Sequence, residues 1–235
     1  MTDTIETKTF ILRPDTDINP VLCHLADNGA FGIKLYYYSD EIIYMIKSLL
    51  DETLKIVEKN ELRNMIYNGV KEIVINGIKA NLKRVVFKQN QLDLDNLDHY
   101  TYGMNLFRDF LSAHTPEEIE KTLIKNGYEL VILCAKVDNG LRIEVMNNCE
   151  LCSIEEARIR ERFRLAMQYK DLVSFMDDHS NHIEGSGLGI FLLILMLREH
   201  GIDPSYFRVG KKYQGYTVSR IEIPFNKDFL GIRED

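Results

Sequence analysis

The chain has 235 residues, 45% of them apolar and 28% charged, and its 29 basic against 36 acidic residues leave a formal net charge of −7. That is one large domain, or one domain with an appendage, able to bury a sizeable core. The acidic balance argues against non-specific binding to nucleic acid or anionic lipid, whose phosphates want a basic surface, and the longest apolar run, residues 190–197, is far short of the ~20 residues that span a bilayer.

Met1 to Lys8 is polar and acidic and lacks a charged-then-apolar leader pattern. The expectation is a cytoplasmic protein with no membrane insertion and no nucleic-acid partner. Residues 1–36 are mixed, with turn signals at Arg13-Pro14-Asp15 and Asn28-Gly29 and a short strand at Thr9 to Leu12. From Ser39 to about Glu58, Ile42, Ile43, Ile46, Leu49, Leu50 and Leu54 recur at helical spacing, with Ser39 or Asp40 as N-cap. Residues 1–58 therefore read as an N-terminal extension with one long helix, a dimerisation or partner element ahead of a domain over 59–228.

A second helix is predicted from about Glu61 to Val86. Leu92 to Asn96 is loop-like, and Tyr102 to Ala113 is helical in pattern. Thr115-Pro116-Glu117-Glu118 is a helix start with a capping Thr, Pro in the first helical position and Glu at the third. Tyr128 to Val137 and Leu141 to Met146 form a hairpin across Asp138-Asn139-Gly140. Ser153-Ile-Glu-Glu156 reads as a capping box opening a charged helix that ends near Asp177. A polar loop follows, then a helix from Gly189 to His200. Strands at Tyr206 to Gly210 and Tyr216 to Pro224 close the chain around Gln214-Gly215. This order predicts an α+β fold, a two-layer α/β sandwich with a mixed, mostly antiparallel sheet and helices on one face.

Two stretches carry chemistry. In Glu72-Ile-Val-Ile-Asn76-Gly-Ile-Lys79-Ala-Asn81, the 100° step puts Glu72, Asn76, Lys79 and Lys83 on one stripe, while Ile66, Val70, Ile73, Val74 and Ile78 point to a core. Asn and Gly are poor choices for a helix interior, Gly by about 1 kcal/mol against Ala, so Asn76 and Gly77 imply close approach to something other than solvent. An Asn76 oxygen suits Mg²⁺, Lys79 suits a phosphate, and Glu72 suits a general base. Surface ion pairing of Glu72, Lys79 and Lys83 is the plain alternative. The second stretch, Gly185-Ser-Gly187-Leu188-Gly189-Ile190, permits close backbone approach and opens a helix whose free N–H groups favour an anion. It is neither a Walker loop nor a dinucleotide fingerprint. Of Cys23, Cys134, Cys149 and Cys152, the last two have metal-like spacing, but no second pair at zinc-site spacing accompanies them; they read as reduced thiols.

With these residues in place, the chain resembles the histidine-kinase-like ATPase (GHKL) superfamily, and within it most closely the catalytic ATP-binding domain of sensor histidine kinases. Glu72, Asn76, Gly77 and Lys79 match the family's Glu-x-x-x-Asn-Ala/Gly-x-Lys box, and residues 185–190 match its glycine box at every position. Asn147 stands where the family places its adenine-reading Asp, and Gln214-Gly215-Tyr-Thr217 resembles its closing hairpin, which implies a Thr217 that faces phosphate. The resemblance implies a Bergerat-type sandwich, ATP with Mg²⁺, and a lid over residues 150–184. Glu72 would be catalytic, Asn76 the metal ligand, and Lys79, Gly185, Gly187, Leu188, Gly189 and Thr217 would contact the nucleotide. Two positions depart from the pattern: Asn147 replaces Asp and Cys149 replaces Gly. A bond to a neutral acceptor contributes ~0.5–1.5 kcal/mol against ~1.5–3 for a charged one, so adenine binding should weaken by roughly tenfold.

The only His before Glu72 is His24, too near for two bundle helices and a linker. The expected function is therefore phosphate transfer from ATP to a protein partner, a phosphoacceptor or regulated factor, with the chain lacking an obvious phosphoacceptor His of its own. An anti-sigma-like serine kinase and a nucleotide-gated binding module with little turnover are the alternatives, and a homodimer is compatible with each. Residues 88–126 exceed the family's usual connection and read as a partner-binding insertion.

Overall fold

A computed structural model describes residues 7–179, 188–211 and 215–232. Its elements are β1 (Thr9–Ile11), α1 (Asn19–Asn28), β2 (Ala30–Leu35), α2 (Asp40–Ile56), α3 (Arg63–Gln89), α4 (Leu97–Ala113), α5 (Pro116–Lys125), β3 (Leu130–Val137), β4 (Gly140–Asn147), α6 (Ser153–Gln168), α7 (Leu172–His179), α8 (Leu188–Glu199), β5 (Phe207–Lys211) and β6 (Thr217–Pro224). The strands form one six-stranded sheet in the order β1-β2-β3-β4-β6-β5. Among the described strands only β1 and β2 pair in parallel; every other neighbour is antiparallel. The expected α+β class with a mixed, mostly antiparallel sheet is what the chain forms.

Register decides which face is buried, because side chains alternate along each strand. Ile33, Ile132 and Val145 align across three strands, and Phe31, Cys134, Ile143 and Ile221 across four, and all of these belong to the core. The helices stand on this face. Phe10 meets His24 of α1 edge-on at 5.8 Å, Gly77 of α3 abuts Leu130, and Phe163 of α6 stacks on Phe207 at 5.2 Å. The opposite face carries the ion pairs Arg142–Glu222 (3.1 Å) and Arg220–Glu144 (2.7 Å). Residues after β6 cross it: the Ile232 N–H donates to Glu222, and the Phe229 ring fills the space above Gly140.

Helix α3 is the central pillar. Along its 27 residues, side chains from Met65 to Phe87 are buried on almost every side. It packs on α2, α4 and α8 as well as on the sheet. Two glycines allow this. A Cβ at Gly69 would lie 2.7 Å from Leu193 of α8, and one at Gly77 would lie 2.7 Å from Leu130 and 3.5 Å from Asn147. Gly77 is thus explained by contact with the sheet.

Caps behave as the sequence predicts at two helices. Ser39 accepts from the Ile42 N–H, and Thr115 and Glu118 form a reciprocal capping box with Pro116 at the first helical position. Three expectations are corrected. The stretch 1–36 holds more than a short strand: α1 starts at Asn19-Pro20 and ends at Gly29 in the left-handed region (φ 66°), and β2 is buried along nearly its whole length. With α2, these elements join the same sheet and core as the rest of the described chain. Helix α4 begins at Leu97, five residues before the predicted Tyr102, because Asn96 caps it. The charged helix is capped one residue earlier than predicted and breaks near Tyr169 into α6 and α7. Ser153 is not its cap; its N–H and hydroxyl both donate to Asp95 at 2.7 and 2.6 Å. Glu155 occupies the third position instead and accepts from the Cys152 N–H. Among the described residues no helix is long and apolar enough to cross a membrane, and no group of His, Cys, Asp and Glu is placed to hold a metal ion.

Candidate functional site

A cleft of about 620 Å³ opens between α3, α4, α6 and the ends of β4 and β6. Asn76, Lys79, Asn147 and Thr217, singled out in three separate segments of the sequence, all line it. Gly77, Ala80 and Leu151 add small or apolar surface, and Ile190 enters from the first turn of α8.

On the α3 stripe, Glu72 and Asn76 are joined directly. The Asn76 amide donates Nδ2 to Glu72 Oε1 at 3.0 Å. A carboxylate accepts only, so this bond fixes the amide and leaves its oxygen, a hard donor suited to Mg²⁺, as the available atom. Glu72 in turn packs on the start of α8. A Cβ at Gly189 would fall 2.0 Å from Glu72 Cγ and 2.4 Å from its Oε1, so any larger residue there must push the Glu72 side chain aside. The two predicted motifs therefore touch at Glu72 and Gly189. Gly185 and Gly187 lie outside the described residues, and Leu188 is the first residue of α8. Lys79 is exposed on the cleft wall.

Asn147, at the end of β4, is buried. Its Nδ2 donates to Asn81 Oδ1 at 3.3 Å and to Cys149 Sγ at 2.9 Å. Asn81 is itself oriented by a backbone carbonyl, donating Nδ2 to Glu129 O at 2.9 Å. The Glu129 carbonyl fixes Asn81, Asn81 fixes Asn147, and Asn147 Oδ1 is left as an acceptor beside Gly77. Thr217 lies directly opposite Asn147 in the β4–β6 ladder. Its hydroxyl donates to Cys149 O at 2.6 Å, so what it can offer a ligand is an acceptor lone pair beside Asn147. The sequence assigns Thr217 to phosphate; the structure groups it with the Asn147 end. Burial pushes the Cys149 thiol up to about 11, which keeps it protonated and able to sit near Asn147 without charge.

Sequence reasoning missed the ionic lining. Glu155 of α6 accepts from Lys83 Nζ at 2.6 Å and from both Arg84 terminal nitrogens at 2.7 and 2.5 Å. Arg84 also donates to the Glu150 carbonyl. Burial alone would raise the Glu155 pKa; the Arg84 hydrogen bond and the charges of Lys83 and Arg84 outweigh it and bring the carboxyl down to about 2. Tyr100, 2% exposed, lies beneath Lys83 and Arg158: its hydroxyl accepts from both at 3.3 and 3.1 Å, and Arg158 sits 4.6 Å over its ring. Lys83, which the stripe groups with Lys79, is thus held by α6 and α4. The signal for this was present in the spacing Glu155, Arg158, Ile159, Arg162, one face of a helix, but their partners lie 58 to 72 residues away.

No family model matches the chain, and no solved structure matches it. It is similar to an uncharacterized protein of Treponema pallidum (strain Nichols), 26% identical over 195 residues, which are 83% of this chain and 38% of that protein. The chain thus spans well under half the length of this relative.

Proposed function

We propose that the cleft binds ATP with Mg²⁺, in the manner of histidine-kinase-like ATPases of Bergerat fold, and that the protein passes phosphate to a protein partner. The single observation that supports this best is convergence. Residues chosen from the sequence for metal, phosphate and base recognition line one cleft, and Glu72 is set against Gly189 of the glycine box.

In this reading Asn147 Oδ1 and the Thr217 hydroxyl oxygen accept from the base's amine. The walls beside them, including Gly77, Ala80 and Leu151, exclude water from its faces. Asn76 Oδ1 is a hard oxygen ligand for Mg²⁺, held in place by Glu72. Lys79 supplies positive charge to the phosphates. Bound Mg·ATP supplies the transferable phosphoryl group. Glu72 keeps Oε1 on Asn76 and has Oε2 to take a proton from an attacking hydroxyl, imidazole or water.

Incubation with γ-labelled ATP tests the reading. Labelled phosphate should appear on protein or in solution and should vanish with Glu72→Ala. Acid-labile label on protein marks a phosphohistidine acceptor, and acid-stable label a serine acceptor. ATP that binds yet is neither transferred nor hydrolysed by wild type contradicts the transfer step and leaves a nucleotide-gated binding module.

A further inference from the structure

Two buried side chains at one end of the sheet have their hydrogen-bonding polarity set by main-chain carbonyls. Asn147 and Thr217 face each other across β4 and β6. Both line the cleft, and each is 5% exposed. An amide or a hydroxyl can present a donor or an acceptor, so residue type alone does not say what such a pair recognises. Its neighbours decide it.

A carbonyl oxygen only accepts. The Asn81 amide must therefore turn its Nδ2 to Glu129 O, at 2.9 Å. That leaves Asn81 Oδ1 pointing at Asn147, 3.3 Å from its Nδ2. Asn147 must in turn direct its Nδ2 inward, and its Oδ1 is the atom beside Gly77. Reversing both amides would set Asn81 Oδ1 against Glu129 O with no hydrogen between them. Cys149 does not arbitrate, although Asn147 Nδ2 lies 2.9 Å from its Sγ, because a thiol can either accept from an N–H or donate to an oxygen. The choice belongs to Asn81, which is 1% exposed, so that bulk solvent does not compensate a wrong orientation. Thr217 is fixed in the same manner. Its hydroxyl donates to Cys149 O at 2.6 Å, and its lone pairs are what remain to offer.

We propose that this relay, from the Glu129 carbonyl through Asn81 to Asn147 and from the Cys149 carbonyl to Thr217, makes the base pocket a pair of acceptors that selects a 6-amino purine and rejects a 6-oxo purine, with Asn81 as the positioning residue for that choice. It rests on the nucleotide reading above and gives a role to Asn81, which carries none in that reading. An exocyclic amine offers two N–H groups to such a pair. A 6-oxo group would instead put a further oxygen against two acceptors. Polar groups left unpaired in a closed site are what give strong discrimination between analogues.

The test is calorimetric titration of ATP and of inosine triphosphate, which carries oxygen in place of the amine, into wild type, Asn81→Leu, Asn81→Ser and Thr217→Val in Mg²⁺. Wild type should bind ATP at least about a hundredfold tighter than inosine triphosphate. Asn81→Leu, which has the branching of Asn without its polar atoms, frees the Asn147 amide to turn over against the Cys149 thiol. Inosine triphosphate should then tighten by at least about threefold while ATP weakens, and the preference should fall below about tenfold. Asn81→Ser, whose hydroxyl has no fixed polarity, should narrow the preference likewise and covers a Leu variant that does not fold. Thr217→Val should weaken ATP by about tenfold and inosine triphosphate by less than about threefold. A packing role for Asn81 would weaken both nucleotides alike and keep their ratio. That result, or a wild type that binds the two equally, overturns the relay while the nucleotide reading stands. A wild type that binds neither nucleotide removes that reading and the relay with it.

Discussion

Glu155 is the keystone between α6 and α3, and its removal should be costly. Substitution by Ala leaves Arg84, 8% exposed, with a carbonyl partner but no counter-charge, beside Lys83. Removing one partner of a buried pair costs about 3–5 kcal/mol. The fall of the Glu155 carboxyl from 4.5 to about 2 corresponds to roughly 3 kcal/mol on its own. For a chain of this size each kcal/mol lowers the melting temperature by roughly 2–4 °C, so a cost of about 3–5 kcal/mol should make Glu155→Ala melt about 6–20 °C below wild type at pH 7. Because the folded carboxyl titrates below its unfolded value, its contribution is full above about pH 4.5 and fades as the pH falls toward 2. The gap between wild type and variant should narrow over that window. In an Arg84→Met background the same substitution should cost at least ~1 kcal/mol less, because the stranded charge is gone. Thermal melts of the four proteins at pH 7 and pH 3.5, with denaturant melts for the free energies, decide it. A variant within 2 °C of wild type, or an equal cost in both backgrounds, would refute the Glu155 latch.

Gly189→Ala should separate stability from chemistry. The added methyl must displace the Glu72 side chain and so break its bond to Asn76. Stability should move by less than about 1 kcal/mol, since Ala favours the helix, while phosphate release or transfer from ATP falls at least about tenfold; parallel melts and labelled-phosphate assays check both. Asn147→Asp, although it restores the family's carboxylate, should not tighten ATP binding. It replaces two donated bonds with a carboxylate facing Asn81 Oδ1, and Asn81 is held by the Glu129 carbonyl. A loss of about 1–3 kcal/mol of stability is expected, read by denaturant melts, with no gain in ATP affinity by calorimetry.

Much of this was legible in the sequence, and what was not has a common cause. Local rules placed α2, α5 and both hairpins, because Ser39, Thr115-Pro116 and Asp138-Asn139-Gly140 act within a few residues of themselves. The α3 stripe was legible because Asn76 and Gly77 break helix propensity. Pro20 and Gly29 are the ordinary start and stop signals of α1, but three turns with few periodic apolar residues hid between them, and β2, buried on both faces, shows no alternation. The α6 cap slipped by one residue because Ser153 is claimed by Asp95, 58 residues away. Arg84, Arg158 and Arg162 look like solvated helix charges in the sequence. Only the pairing of α6 with α3 and α4 turns them into the lining of a cleft, and no local pattern encodes that.

The most direct measurement is calorimetric titration of ATP into wild type and Asn76→Ala, with and without Mg²⁺. Wild type should bind with 1:1 stoichiometry and gain affinity from the metal, and Asn76→Ala should lose that gain while folding normally, as only an exposed amide is removed. Equal binding by the two proteins in Mg²⁺, or no heat from wild type at any ATP concentration tried, would contradict a metal-nucleotide site in this cleft.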